Sequence, residues 1–399
     1  MIMNPKTRLI FLIGAIAAIG PFTVDMYLPG FPAIARDLNT TEKMVSYTLT
    51  SYFIGISIGQ LFYGPILDKF GRKKPLLLGL TLYLISSVVC ALSPHVYILI
   101  LARFVQALGA SVGMVAGTAI IRDQYGASEV AKMLSSVLLV MGVAPVIAPS
   151  LGSFFISHLS WRYIFYFLTL VSGVLILSLK IFLTETHGYQ PHMDFRIRPI
   201  LYNYYTALRQ SKFVKYTLGG SIAMAIMFAY VSSIPFILMN IYKVSAGTFG
   251  IIFACNAAGF ISGSQLNRLL LRKFQLHNLT RVISFVQLLV SITFLILAYN
   301  FELPLPVFLA FVFVVLFLLG FINPNATALA LESFEKNIGV ASALNGAVRM
   351  ATAALTSAMM GVCYNGTQYP LIWFMVVLSL FGFIFIAWAR RNSFFKQRK

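Results

Sequence analysis

Apolar runs of about 20 residues recur along the whole chain, separated by short polar breaks. Runs of that length suit helices crossing a hydrocarbon layer about 30 Å thick. A membrane barrel would instead show strictly alternating segments of about 10 residues, and these runs do not alternate. The pattern predicts twelve spans, at about 7–29, 43–67, 75–93, 96–121, 132–156, 161–184, 213–240, 246–270, 280–299, 304–330, 338–363 and 369–390. Most of the breaks are short, as helical hairpins require. The exception is 185–212, "ETHGYQPHMDFRIRPILYNYYTALRQSK", which divides six spans from six. The predicted fold class is therefore an all-α polytopic membrane protein of two six-helix bundles. They occupy residues 1–184 and 213–399, the second ending in a short basic tail, with 185–212 as a cytoplasmic linker.

Composition agrees with this picture. The 399 residues are 59% apolar and only 10% charged, against about 25% charged in an ordinary soluble protein. The formal charge of +19 would suggest nucleic acid in a soluble chain. Here topology explains it. With both termini cytoplasmic, only Arg36, Lys43, Arg162 and Lys243 of the 30 Lys and Arg fall at outer ends. Arg103 and Arg349 lie within spans, and all the others face the cytoplasm, as the positive-inside rule expects. Spread over short loops, this charge forms no nucleic-acid patch. Cys90, Cys255 and Cys363 fall inside apolar runs, so no disulfide framework is implied. The first run follows Lys6 and Arg8 as a secretory signal would, but its length and the eleven runs after it favour a retained helix. No H-E-x-x-H, nucleotide loop or paired catalytic acids occur, and the five His are dispersed, so no catalytic residue, metal site or cofactor is expected.

Equal halves suggest duplication. The second span ends "GQLFYGPILDKFGRKK" and the eighth "SGSQLNRLLLRKF", each with small residues, then Asp68 or Asn267, then a basic cluster. Parallel six-helix repeats are a transporter architecture, with substrate handled near the midplane. In "GPILDKFGRKK", Gly64 suits close helix contact, Asp68 marks the helix exit, Gly71 permits a tight turn and Arg72 opens a basic run. Gly109, Gly113 and Gly117 in the fourth span read as small-residue packing positions. "LLVMGVAPVIAPSLGSFF" places Gly142, Pro145, Pro149 and Gly152 in the fifth span, where the prolines remove hydrogen bonds and bend the helix.

The spacing G-x-x-x-D-x-x-G-R-K resembles the loop signature of the major facilitator superfamily between its second and third helices. That resemblance implies the major facilitator fold and a cytoplasmic gate of Asp68 and Arg72, with Asp123 as a partner. The fifth span resembles the antiporter signature of drug-exporting members, departing from it at Ala148 and Ser153. "VDMYLPGFP", "GVAPVIAP", "NPNATALALE" and "ASALNGAVR" resemble the Bcr/CflA drug-resistance branch. Arg103 matches the family's fourth-helix arginine, implicated in proton transfer.

Asp25 is the only acid placed well inside a predicted span. It lies seven residues from the outer end of the first helix, and Arg103 seven residues from the outer end of the fourth. Both therefore sit about 10 Å deep, and in the family fold these helices are neighbours. Burial and a nearby guanidinium act on a carboxylate in opposite directions, so Asp25 is expected to carry a coupling proton that Arg103 tunes. The other reading is a permanent ion pair that only fixes packing. Arg349, about 16 Å into the eleventh helix, has no acid near it, and should face water, an anionic or carbonyl-rich substrate, or the carbonyls of a helix break. Tyr27, Tyr52, Tyr230, Asn256 and Asn345 join Arg349 as candidate cavity residues. The expected function is proton-coupled antiport exporting amphipathic small molecules by alternating access, by a monomer in a bacterial inner membrane, with protons and the bilayer as its other partners. A dedicated exporter of one native metabolite, such as a siderophore or peptide-like compound, and a non-transporting sensor or scaffold are the alternatives.

Overall fold

The computed structural model describes residues 4–190, 197–334 and 338–391, so the basic tail and part of the linker lie outside it. Its first half holds α1 (Pro5–Asp25), a 3-10 turn (Leu28–Gly30), α2 (Phe31–Asp37), α3 (Glu42–Phe70), α4 (Lys73–Leu92), α5 (Val96–Gln124), α6 (Ala127–His158) and α7 (Arg162–Phe182). After α8 (Ile197–Leu208) come α9 (Ser211–Phe236), a π turn (Ile237–Ile241), α10 (Ala246–Leu270), α11 (Leu276–Asn300), α12 (Leu305–Leu331), α13 (Ile338–Cys363) and α14 (Tyr369–Arg391). Among the described residues there is no strand, and twelve helices have 20 or more residues. Among the described residues, eleven helical segments are long and apolar enough to cross a membrane. The 29-residue α3 is the long helix outside that set, its sequence carrying many Ser, Thr, Tyr and Gly residues.

The chain forms two compact units, Met1–Ile200 and Leu201–Lys399, and the division falls inside the short helix α8. In the first unit α5 packs on α3, α4 and α1, α6 packs on α1, and α7 packs on α4 and α1. In the second, α12 packs on α10, α11 and α9, α13 packs on α9, and α14 packs on α11 and α9. Every principal pairing of one unit recurs in the other in the same order, which extends the duplication legible in the ends of α3 and α10.

Small residues let the helix backbones approach, the device that replaces hydrophobic drive inside a bilayer. A Cβ at Gly109 would stand 2.6 Å from the Gly79 carbonyl oxygen and the Tyr83 nitrogen, and one at Gly113 would stand 2.5 Å from Ile16. Gly64 and Gly142 have no such neighbour, so close helix contact, expected at Gly64, is not its role here.

The first helix is shorter than its apolar run. It ends at Asp25, four residues early, because Pro29 has no N–H to offer the Asp25 carbonyl and the α-ladder cannot continue. The chain instead turns through Tyr27 N–H to the Val24 carbonyl (3.2 Å) and Gly30 N–H to the Tyr27 carbonyl (3.1 Å) before α2 begins. Gly109→Val should lower the apparent thermal midpoint through an overpacking cost of about 1–3 kcal/mol. Gly20→Ala, with open space for its methyl, should leave the midpoint unchanged or slightly higher. Fluorescence-detected thermal unfolding in detergent checks both.

Candidate functional site

Asp25 sits at the break of α1 and is 8% exposed. α6 presses against this break. A Cβ at Gly152 would lie 2.1 Å from the Met26 carbonyl oxygen, so only glycine lets the α6 backbone reach the residue following Asp25. Pro145 and Pro149 lie inside α6, which runs on through both as one 32-residue helix. Their missing N–H groups free the carbonyls of Met141 and Pro145. The antiporter-like segment therefore meets the chain beside the buried acid.

Arg103 is completely buried on α5. Its Nη1 donates to Gln106 Oε1 (2.8 Å) and to the Thr23 carbonyl (3.4 Å), two residues before Asp25. Its guanidinium carbon lies 4.3 Å from the Tyr52 ring centroid, 4.7 Å from Tyr27 and 5.8 Å from Phe165. Nε and Nη2 have no hydrogen-bond acceptor. Among the described residues no ion pair joins Arg103 to Asp25, so the two occupy one neighbourhood without the contact that their depths suggest. The aromatic rings explain this arrangement, since each cation–π contact offers about 0.5–2 kcal/mol to a desolvated guanidinium.

Tyr27 and Tyr52, expected on a cavity wall, are instead fully buried against Arg103. Polar contacts extend the cluster. Thr48 donates to the Val45 carbonyl (2.6 Å), so the Tyr27 hydroxyl donates to Thr48 (3.0 Å). Thr23 likewise donates to the Ile19 carbonyl (2.6 Å), and Tyr83 donates to Thr23 (2.6 Å). Gln106 Nε2 donates to Ser87 Oγ (2.8 Å). Gln106, Thr23 and Tyr83 were missed in the sequence because amides and hydroxyls on helices usually satisfy themselves locally.

A second cluster forms at the α3–α4 turn. Arg72 Nη1 donates to Asp68 Oδ1 (2.7 Å) and Nε to Asp123 Oδ2 (2.7 Å), joining the ends of α3 and α5. Burial alone would lower the Arg72 pKa, but its bonds to Asp123 and Asp68 outweigh that and hold it above the ordinary value. Gly71 has φ of +84°, a conformation that L side chains rarely adopt. A Cβ there would also lie 2.7 Å from the His187 carbonyl oxygen and 2.8 Å from Glu185 Oε2.

Glu185, which sequence reasoning left in the linker, is part of this cluster. Its carboxylate accepts from the Arg72 N–H (2.7 Å) and the Lys73 N–H (3.0 Å), satisfying unpaired donors at the start of α4. Gln190 N–H donates to the Lys69 carbonyl (2.9 Å), and Tyr189 stacks on Phe70 at 6.0 Å. The opening of the linker is thus strapped across the turn.

In the second unit, Asn256 Nδ2 donates to Tyr230 Oη (3.0 Å), joining two of the expected cavity residues. Asn345 is buried on α13. Arg349 Nη2 donates to Thr327 Oγ1 (2.7 Å), while Thr327 donates to the Asn323 carbonyl (2.9 Å). Arg349 Nε and Asn323 Oδ1 have no partner. The described acids of this unit, Glu302 and Glu332, both lie outside the helices. Asn267, the counterpart of Asp68, exchanges two hydrogen bonds with Asn325 (2.7 and 2.9 Å). Lys215 is buried without a hydrogen bond, its Nζ 4.1 Å from the Trp388 ring centroid.

Residues 10–357 match the sequence profile of the Major Facilitator Superfamily. The chain is 32% identical to an uncharacterized MFS-type transporter, YdgK, of Bacillus subtilis (strain 168), over 96% of each chain. It is also 32% identical to a bicyclomycin resistance protein homolog of Haemophilus influenzae, over 96% of this chain and 97% of that one. Among solved structures, a D-xylose–proton symporter superposes with a TM-score of 0.73 at 14% identity, over 96% of each chain. At that identity the likeness shows the fold alone. By profile, relatives and helical pairing together, the chain belongs to the major facilitator superfamily of multi-pass membrane transporters.

Proposed function

We propose that the protein is a proton-coupled antiporter that exports drugs or other amphipathic small molecules by alternating access. It works as a monomer in a bacterial inner membrane, with both termini cytoplasmic, no bound cofactor and the proton gradient as its energy source. The observation that carries this reading is the separation of Asp25 from Arg103 within one buried neighbourhood. Relatives named for bicyclomycin resistance in Haemophilus influenzae and for multidrug resistance in Escherichia coli support the substrate class; the latter matches 61% of each chain at 32% identity.

The two charges offer a switch. At about 4 Å and an effective dielectric near 20, an ion pair is worth about 4 kcal/mol. Two or three ring contacts of about 0.5–2 kcal/mol each are comparable. Arg103 can therefore rest in its aromatic box while Asp25 carries a proton, and pair with Asp25 once the proton leaves. Its unpartnered Nε and Nη2 favour that move, since each orphan donor costs about 1–3 kcal/mol. The Asp68–Arg72–Asp123 cluster, braced by Glu185, serves as the cytoplasmic latch that each cycle must release.

Asp25→Asn should abolish substrate uptake driven by a pH gradient in inverted vesicles, while substrate counterflow persists. Uptake that still follows the imposed gradient would refute the proton role. Arg72→Gln should slow transport about 10- to 150-fold, the effect of losing a charged hydrogen bond worth about 1.5–3 kcal/mol, with substrate binding retained. Glu185→Gln should give a smaller loss in the same direction, and normal turnover in both variants would remove the latch. Arg349 stands without an acid in its helices, and Arg349→Gln should reduce export of anionic substrates while sparing neutral ones. Equal loss of both, measured in the same vesicles, would assign Arg349 to packing.

A further inference from the structure

A cavity of about 400 Å³ opens in the first unit between α1, α6 and α7. Its walls are almost wholly apolar, with Phe11, Phe22, Val140, Ala144 and Phe167 on them. The polar lining residue Tyr83 has its hydroxyl committed to Thr23, so it offers the cavity only its ring. Phe11 is 54% and Val143 52% exposed, so the cavity opens sideways onto exposed apolar surface of this unit. No side chain on these walls would fix a charged or strongly polar ligand.

Length identifies what fits. The α1 wall runs along one stripe, Phe11, Ala15, Ala18 and Phe22, spaced three and four residues apart. That stripe spans about 16 Å at 1.5 Å per residue. One leaflet of a hydrocarbon core about 30 Å thick is about 15 Å deep. The same stripe continues one turn further to Arg8, at the basic end of the helix, whose guanidinium carbon lies 4.6 Å from the Phe182 ring centroid. No carboxylate pairs with Arg8 among the described residues, and Lys6, its neighbour, is already engaged by Glu129.

We infer that the α1–α6–α7 cavity binds one acyl chain of an anionic phospholipid from the leaflet at the Arg8 end, with Arg8 drawn to the headgroup's net negative charge. The site stands apart from the proposed antiport, because neither the stripe nor Arg8 belongs to the Asp25–Arg103 cluster. The two still touch at one point. Tyr83 forms the inner wall of the cavity, and its partner Thr23 also presents the carbonyl that accepts from Arg103. An occupying chain would therefore press on a residue one hydrogen bond away from the guanidinium's own support.

The test uses the full chain in nanodiscs containing phosphatidylglycerol or phosphatidylethanolamine with a photoreactive group on one acyl chain. Crosslinks from phosphatidylglycerol should concentrate on α1 and α6 residues lining the cavity. Arg8→Gln should reduce that labelling roughly fivefold, the factor one Lys or Arg contributes near an anionic lipid surface, and leave phosphatidylethanolamine labelling unchanged. Ala15→Trp, which fills the stripe, should remove labelling by both lipids at these positions. Labelling spread evenly over the lipid-facing helices, or an Arg8→Gln protein that still prefers phosphatidylglycerol, would overturn the inference. So would displacement of the label by a neutral lipophilic drug with no response to headgroup charge, which would assign the cavity to such compounds. If Ala15→Trp does not fold, the label map and the Arg8→Gln comparison decide alone.

Discussion

Arg103 cannot reach water, so the first half of this protein is arranged around accommodating a guanidinium in an apolar bundle. Two tyrosines and a phenylalanine supply ring faces, Gln106 supplies an amide oxygen, and the broken helix α1 supplies the Thr23 carbonyl. These supports are individually weak, and two nitrogens still go without an acceptor. A full carboxylate partner would satisfy more of the fork. Asp25, two residues beyond the Thr23 carbonyl, forms no ion pair with Arg103. The proposed switch depends on that incompleteness, because a fully satisfied buried cation has no reason to move.

That arrangement depends on backbone features more than on the charges themselves. Pro29 stops α1 at Asp25, and Gly152 lets α6 lie on the Met26 carbonyl. Were α1 to continue as a regular helix beyond Asp25, the chain would lose its turn at Tyr27. A proline and a glycine without chemistry of their own thus shape the backbone that follows the acid. The segment resembling the antiporter signature contributes here by close approach, and its polar content is unimportant to that contact.

The two halves share their helix pairings but differ in how they join the ends of corresponding helices. Asp68 and Asp123 meet through Arg72, whereas Asn267 and Asn325 meet directly and without charge. An amide pair satisfies itself in any surroundings. A carboxylate–guanidinium cluster half out of water responds to its dielectric and to anything that competes for the arginine. The two halves thus share their helix pairings, and the charged form of this join occurs in the first half. Glu185 adds to that asymmetry by anchoring the linker to the turn it leaves.

Much of this was legible in the chain. Twenty-residue apolar runs imply spanning helices because an unpaired peptide group in hydrocarbon is too costly for any open alternative. The same constraint made Asp25, Arg103 and Arg349 conspicuous, since each is an expensive group in an apolar run. Asp68, Gly71 and Arg72 announced themselves by spacing. What no linear pattern could convey is which partner each charge takes. Depth along a helix places Asp25 and Arg103 at one level, but rotation about the helix axes decides whether they touch, and that rotation comes from packing. Tyr27 and Tyr52 read equally well as cavity walls or as an arginine box, and Glu185 reads as a linker acid until the chain folds back across Gly71. Periodicity reports the medium each residue meets; contacts between distant helices depend on side-chain shape and close approach, and only the tertiary structure decides those.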